Sequence, residues 1–183
     1  VVRGVGTNPT RTGLLDVVRL MGAGAQAVPI EEGAGGEPRA DLHVAHTQPK
    51  GVAFGGELLV RMIDEVPALC AVAAASSGTT EIRDAQELRV KESDRIAAMA
   101  SVLTAFGCAN EELEDGIRIH GGSALRAATV QSRGDHRIAM SAALLGLIAD
   151  GETVVEDVDC VATSFPTFAD TLRKLGADVE HRT

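Results

Sequence analysis

The sequence predicts an α/β (α+β) chain built from a repeated unit, with sheets outside and buried apolar helices inside. Three observations carry that expectation. First, the segments Val1–Ala23, Thr80–Cys108 and Thr153–Ala177 share one pattern: a β-branched strand, a polar loop, an amphipathic helix, then Gly followed by Ala or Cys. Second, Asp64–Ser76 and His136–Ala149 are apolar nearly all round, as helices surrounded by protein are. Third, 183 residues at 45% apolar composition suffice for a real core.

The elements follow in order. The strand at Val1 leads to a helix with Leu14, Val17, Val18 and Met21 on one face, Thr12 as cap candidate and Gly22 as stop. A strand pair, Ala25–Ile30 with Leu42–Ala45, is joined by the polar turn Glu31–Arg39. Gly33–Gly36 within it is turn material, because neither GxGxxG nor GxxxxGK[ST] is present. The first buried helix ends at Gly78. Glu81–Glu87 reads as a strand running into a loop, and Ile96, Met99, Leu103 and Phe106 recur at helical spacing after it. Ser93 with Asp94 suits that helix start, and Gly107 ends it. A second pair, Ala109–Leu113 with Ile117–His120, turns at Glu114–Gly116. The second buried helix ends at Gly151, and the last segment carries Phe168, Leu172 and Leu175. Ser164 is its cap candidate, Pro166 belongs in its first turn and Gly176 stops it. Each repeat is therefore a buried helix, a strand, an outer amphipathic helix and a strand pair.

Bulk properties narrow the function. A net charge of −9, with four Phe and no Trp or Tyr, argues against nucleic acid and anionic membranes as partners. A local cluster of Arg and Lys can still hold a small anion. Cys70, Cys108 and Cys160 are odd in number and widely spaced, which points to reduced thiols in a cytoplasmic protein. His43 and His46 lack zinc-ligand spacing, so no metal is expected. No secretory leader is expected, and the apolar run Ile138–Ala149 is too short to span a bilayer. The chain begins with Val, and its first strand lacks the buried helix that precedes its counterparts. The expectation is a piece of a longer chain that starts inside a repeat.

Equivalent turns of equivalent repeats fall on one side of the structure. The buried helices begin at Asp64-Glu65 and Asp135-His136-Arg137, and the outer helix of the middle repeat begins in LRVKESDR (Leu88–Arg95). Several helix starts thus converge on a face that favours anions. Lys91, Arg95, Arg137 and Arg11 are candidate anion contacts, and Asp64 and Glu92 are carboxylates among cations, suited to moving protons. Asp64 and Asp135 also read as caps, His136 as a helix-start or surface histidine, and Glu111–Glu114, Arg173 and Lys174 as solvated surface.

With these residues in view, MIDEVP (Met62–Pro67), RVKESDR (Arg89–Arg95), GDHRIAM (Gly134–Met140), ATSFP (Ala162–Pro166) and NPTRTGL (Asn8–Leu14) together resemble the 5-enolpyruvylshikimate-3-phosphate (EPSP) synthase family over essentially the whole chain. The resemblance implies two domains, each of three βαβαββ units, with substrates in the cleft between them. Residues 1–183 are then most of one domain, truncated at its amino-terminal side. It also implies transfer of the enolpyruvyl group of phosphoenolpyruvate to the 5-hydroxyl of shikimate 3-phosphate, without metal or organic cofactor.

Carried onto this sequence, Asp64 takes the hydroxyl proton, Glu92 protonates the methylene carbon, and Arg95 and Arg137 hold phosphoenolpyruvate. Lys91 and Asp64 contact shikimate 3-phosphate, and His136 belongs to the substrate-binding set. The family implies glyphosate as an inhibitor. Thr163 stands where many members have Lys, and the ATSFP and DEVP forms resemble a glyphosate-tolerant subgroup. The isolated piece is expected to be inactive. Two other readings stay open at this point: a relative acting on UDP-N-acetylglucosamine, and a non-catalytic anion-binding module on the same fold.

Overall fold

The computed structural model describes residues 1–30 and 36–180, so most of the expected Glu31–Arg39 turn lies outside the described residues. In chain order the elements are β1 (Val2–Gly6), α1 (Gly13–Leu20), β2 (Gly24–Pro29), β3 (Arg39–Ala45), β4 (Ala53–Phe54), α2 (Gly56–Val60) and α3 (Val66–Ala75). Then come β5 (Gly78–Ile82), α4 (Arg95–Ala105), β6 (Ala109–Leu113), β7 (Gly116–Gly121) and β8 (Thr129–Gln131). The chain closes with α5 (His136–Gly146), β9 (Val154–Glu156) and α6 (Phe168–Lys174). Short 3₁₀ turns at Pro9–Arg11, Ile63–Glu65, Gln86–Val90 and Asp159–Thr163 lead toward helix starts.

The repeat is visible in the strand pairing. The middle unit runs β4, α3, β5, α4, β6, β7, with sheet order β4-β5-β7-β6. β4 pairs parallel with β5, whereas β5–β7 and β6–β7 are antiparallel. This is one complete βαβαββ unit. The first sheet, β1-β3-β2, repeats the β5-β7-β6 order. The last, β8 parallel to β9, repeats β4–β5. Parallel neighbours need a crossover helix, and α3 and α5 supply it in the two units.

The core lies between helices as much as between helix and sheet. α3 and α5 pack together, with α4 against both. Ala71, Ala73 and Ala74 on α3 and Ala139 and Ala142 on α5 are buried, and such small side chains let helix axes approach closely. Leu69, Ile82, Leu103, Phe106, Ile117, Ile119 and Leu145 fill the remaining space. α4 differs from its expected outer character. Ile96, Ala98, Met99, Ala100, Val102 and Leu103 are all buried, and Ser101, Thr104 and Ala105 are its exposed residues. It is wedged between its own hairpin and α5, which a single apolar stripe did not foretell.

Glycine is needed where backbone approaches backbone. At Gly121, closing β7 against the end of α3, a Cβ would lie 2.1 Å from the Ala73 carbonyl oxygen and 2.3 Å from that of Ser76. No side chain fits there. Gly78 leaves α3 at φ +84°, in the left-handed region that glycine enters without strain.

The outward face of β5, β7 and β6 carries charge, as strand alternation requires. Arg118 bonds Glu81 at 2.8 Å, Arg83 bonds Glu81 at 2.7 Å and Asp115 at 2.9 Å, and Arg118 reaches Glu111. Hydrogen bonds from Arg83 and then Arg118 hold the Glu81 carboxyl below its ordinary range. Glu111 is thus paired as well as exposed, and so is Glu112, which accepts from Arg89 at 2.8 Å. Among the described residues no helix is long and apolar enough to cross a membrane.

Three expected helix starts are corrected. Asp94, rather than Ser93, caps α4 by accepting from the Ala97 N–H at 3.0 Å. α6 begins at Phe168, beyond Ser164 and Pro166, where Phe165 packs edge-on against the Phe168 ring at 5.7 Å. Thr12 sits at the N-cap of α1 but makes no capping bond, its hydroxyl donating to the Pro9 carbonyl. The second buried helix also stops at Gly146, short of Ala149.

Candidate active site

Three inner-helix starts meet on one face, and one guanidinium joins them. Arg95 opens α4 and is 2% exposed, an extreme burial for arginine that calls for full pairing. Its Nε donates to Asp135 Oδ2 at 2.9 Å, its Nη1 to Asp64 Oδ1 at 3.3 Å and its Nη2 to Glu92 Oε2 at 2.5 Å. Each carboxylate comes from a different turn: Asp64 from the 3₁₀ turn before α3, Glu92 from the loop before α4, and Asp135 from the cap of α5.

Asp135 is fully buried and saturated. Its Oδ1 accepts the Arg137 backbone N–H at 2.9 Å, which caps α5, and its Oδ2 also accepts from Ser93 Oγ at 3.0 Å. Burial pushes its carboxyl upward. The hydrogen bond from Arg95, with that from the Arg137 N–H, outweighs this and holds it below the ordinary 3.8. The loop ahead of it is fastened from the far side. Ser132 Oγ donates to the Asp157 carbonyl, the Gly134 N–H donates to Ser132 Oγ, and the Ser132 N–H donates to the Glu156 carbonyl.

Arg137 completes the group. Its Nη1 donates to the Asp64 backbone carbonyl at 2.6 Å, and its Nη2 lies 3.7 Å from Asp64 Oδ2. Glu65 Oε1 is 3.7 Å from Nη1. Asp64 therefore stands between two arginines, one buried and one partly open to solvent. It is not the cap of α3, the role its position also suggested: the residue at that N-cap is Glu65, without a side-chain bond.

The structure brings Asp64, Glu92, Arg95 and Arg137 together. It places the other candidates apart from that cluster. Lys91 turns its ammonium to Glu87, four residues back. His136 occupies the first position of α5, half-buried, with no hydrogen bond to the cluster. Arg11 is exposed in the turn Pro9–Arg11, and Thr163 donates to the Cys160 carbonyl at 2.7 Å on the surface. Arg95 is committed to its three carboxylates and presents no free N–H edge to solvent, unlike the anion contact expected of it. Sequence reasoning did not foresee Asp135 and Ser93 in the network of Arg95. The missing signal was the pairing requirement of Arg95: an arginine entering an apolar helix needs carboxylates, and DHR supplies one.

Chemically, the face offers two carboxylates within reach of solvent, Asp64 at 27% and Glu92 at 53% exposure, beside a partly open cation in Arg137. That set can accept one proton, deliver another and hold an anion between them. Among the described residues no group of three or more His, Cys, Asp and Glu is positioned to hold a metal ion.

Carboxylates paired with arginine at converging helix starts thus sit on repeated βαβαββ units. Residues 1–172 match the EPSP synthase (3-phosphoshikimate 1-carboxyvinyltransferase) family, and the chain belongs to it. It is 51% identical over 175 residues to a 3-phosphoshikimate 1-carboxyvinyltransferase of Geobacter sulfurreducens, covering 96% of this chain and 41% of that protein. The relative of the same name from Bacillus thuringiensis is 46% identical over 175 residues, again 41% of its length. The EPSP synthase structure from Acinetobacter baumannii superposes with a TM-score of 0.89 at 40% identity, over 94% of this chain and 40% of that one. The enolpyruvyl transferase NikO from Streptomyces tendae shares the fold, with a TM-score of 0.71 at 22% identity, over 94% of this chain and 37% of that one. The chain thus spans about two-fifths of the length of the relatives it matches.

Proposed function

We propose that this chain is the acid–base portion of an EPSP synthase, acting in the shikimate pathway in the cytoplasm. The full protein transfers the enolpyruvyl group of phosphoenolpyruvate to the 5-hydroxyl of shikimate 3-phosphate and releases phosphate. Asp64 takes the proton of the attacking hydroxyl. Glu92 gives a proton to the methylene carbon, which leaves the adjacent carbon electron-poor and open to that hydroxyl; departure of phosphate, with return of a proton from the new methyl group to Glu92, then restores the double bond. Arg137, supported by Arg95, faces the carboxylate and phosphate of phosphoenolpyruvate, while Lys91, on leaving Glu87, and His136 turn toward the bound substrates from the rim. No cofactor takes part, and glyphosate competes for the same anion site.

The observation that carries this reading is that Asp64 and Glu92, from different helix starts, share the guanidinium of Arg95. Two carboxylates fixed by one cation can be placed on opposite sides of a reacting centre without either drifting. The cluster is net acidic in this chain, so attraction for two anionic substrates must come in part from the remainder of the protein. The piece alone is accordingly inactive.

The test uses a full-length protein carrying this chain, with phosphate release followed in the presence of both substrates. Release should require both of them, and Glu92→Gln should lower kcat by about two to four orders of magnitude without loss of fold. Absence of substrate-dependent release from the unsubstituted protein, or near-normal turnover by Glu92→Gln, would overturn it.

A further inference from the structure

We infer that Asp135 is a positioning residue, which orients Arg95 so that one guanidinium addresses Asp64 and Glu92 together. This rests on the acid–base roles proposed above for those two carboxylates.

The geometry is asymmetric in a telling way. Of the three carboxylates on Arg95, Asp135 is wholly buried, Asp64 partly open and Glu92 half open. Asp135 is also the one whose place is fixed independently, by the Arg137 N–H on Oδ1 and by Ser93 Oγ on Oδ2. It grips the guanidinium at Nε, at the root of the fork. Fixing the root sets the plane, and the plane aims both Nη groups outward to the two exposed carboxylates. An arginine side chain has several soft torsions, and of the three carboxylates on Arg95 only Asp135 acts from within the core. Asp135 also sets how much positive charge the outer pair feels. The charged groups facing this guanidinium are Asp64 from the turn before α3, Glu92 from the loop before α4 and Asp135 from α5. Arg137 and Glu65 stand one contact further away. Lys91 and Asp94 are turned to Glu87 and Arg89.

Asp135→Asn in the full-length protein keeps the size and one acceptor oxygen but removes the charge. Arg95 is then balanced by the two outer carboxylates alone and holds them more firmly ionised. The midpoint of the Glu92 carboxyl, followed by its ¹³C resonance and assigned with Glu92→Gln, should move to lower pH than in the unsubstituted protein. Because Glu92 acts as an acid, the alkaline limb of the kcat profile should move to lower pH. kcat near neutrality should fall about tenfold, with both KM values within about threefold. A residue that merely supports the fold would lower the active fraction and leave both the Glu92 midpoint and the limb in place; that outcome overturns the inference. If the unsubstituted protein shows no transfer, the functional reading fails, and the Glu92 midpoint alone still decides the role of Asp135. Where Asp135→Asn does not fold, Ser93→Ala serves. It concentrates the Asp135 charge on Arg95, so the Glu92 midpoint should rise, and an unmoved midpoint overturns the inference equally.

Discussion

Replacing Arg95 by methionine is the sharpest test of how this face is held together. Methionine fills most of the same space and keeps the helix start intact, but it strands Asp135 in the core as a bare carboxylate. Removing one member of a buried ion pair costs about 3–5 kcal/mol. Asp135 retains its bonds from Ser93 and from the Arg137 N–H, which places the loss near the lower figure. Asp64 and Glu92 are open enough to rehydrate, and their lost pairing adds no more than ~1 kcal/mol.

The expected destabilisation is therefore about 3–4 kcal/mol at neutral pH, or roughly 10 °C in Tm for a chain of this size. Urea unfolding followed by circular dichroism measures it. The sign with pH is fixed. Asp135 has its carboxyl lowered in the folded state, so the Arg95 contribution is fully present above the unfolded value of 3.8. It is lost as pH falls through the lower folded value, and the gap between the proteins should close there. Adding Asp135→Asn to Arg95→Met should recover about 1–2 kcal/mol, since the stranded charge is gone. A loss under about 1 kcal/mol, or a double variant no firmer than the single one, would refute the buried-charge account.

Gly121→Ala should destabilise by about 2 kcal/mol or more, because the Ala73 and Ser76 carbonyls occupy the place of the new methyl; an unchanged urea midpoint would contradict that overlap. Of the three thiols, Cys160 is partly exposed while Cys70 and Cys108 are buried, and burial pushes Cys70 up to about 12. A thiol reagent at pH 8 should therefore label one cysteine quickly and the other two only as the protein unfolds. Three labelled at equal rates would count against the packing described.

Much of this architecture was legible because its parts repeat. The stops at Gly22, Gly107 and Gly176, the middle turns of the two all-apolar helices and the pairing of both strand pairs stand where the sequence pattern places them, since each is a local signal of composition or period. β4 and β8 escaped that reading. They are two and three residues long, too short for alternation to register, and they exist through pairing with β5 and β9. The depth of α4 also depends on α5, which is distant in sequence. At the candidate site, residue types and their meeting on one face could be inferred from equivalent turns. The commitment of Arg95 to three carboxylates, and of Lys91 to Glu87, could not. Which partner a cation selects is decided in three dimensions, by burial and reach.

The fastening of the Ser132–Asp135 loop has a consequence for how the charged cluster comes apart. That loop hangs from Glu156 and Asp157 at the end of β9, in the slimmest sheet of the molecule. Beyond it α6 buries a single side chain, Leu172. Regions with so little buried surface open at lower free energy than the whole, in cooperative pieces. Fraying of this end releases the tether of Asp135 while α3, α4 and the four-stranded sheet stay closed. Heat or mild denaturant would then loosen the charged cluster before the molecule unfolds, through an edge that contributes no member to it.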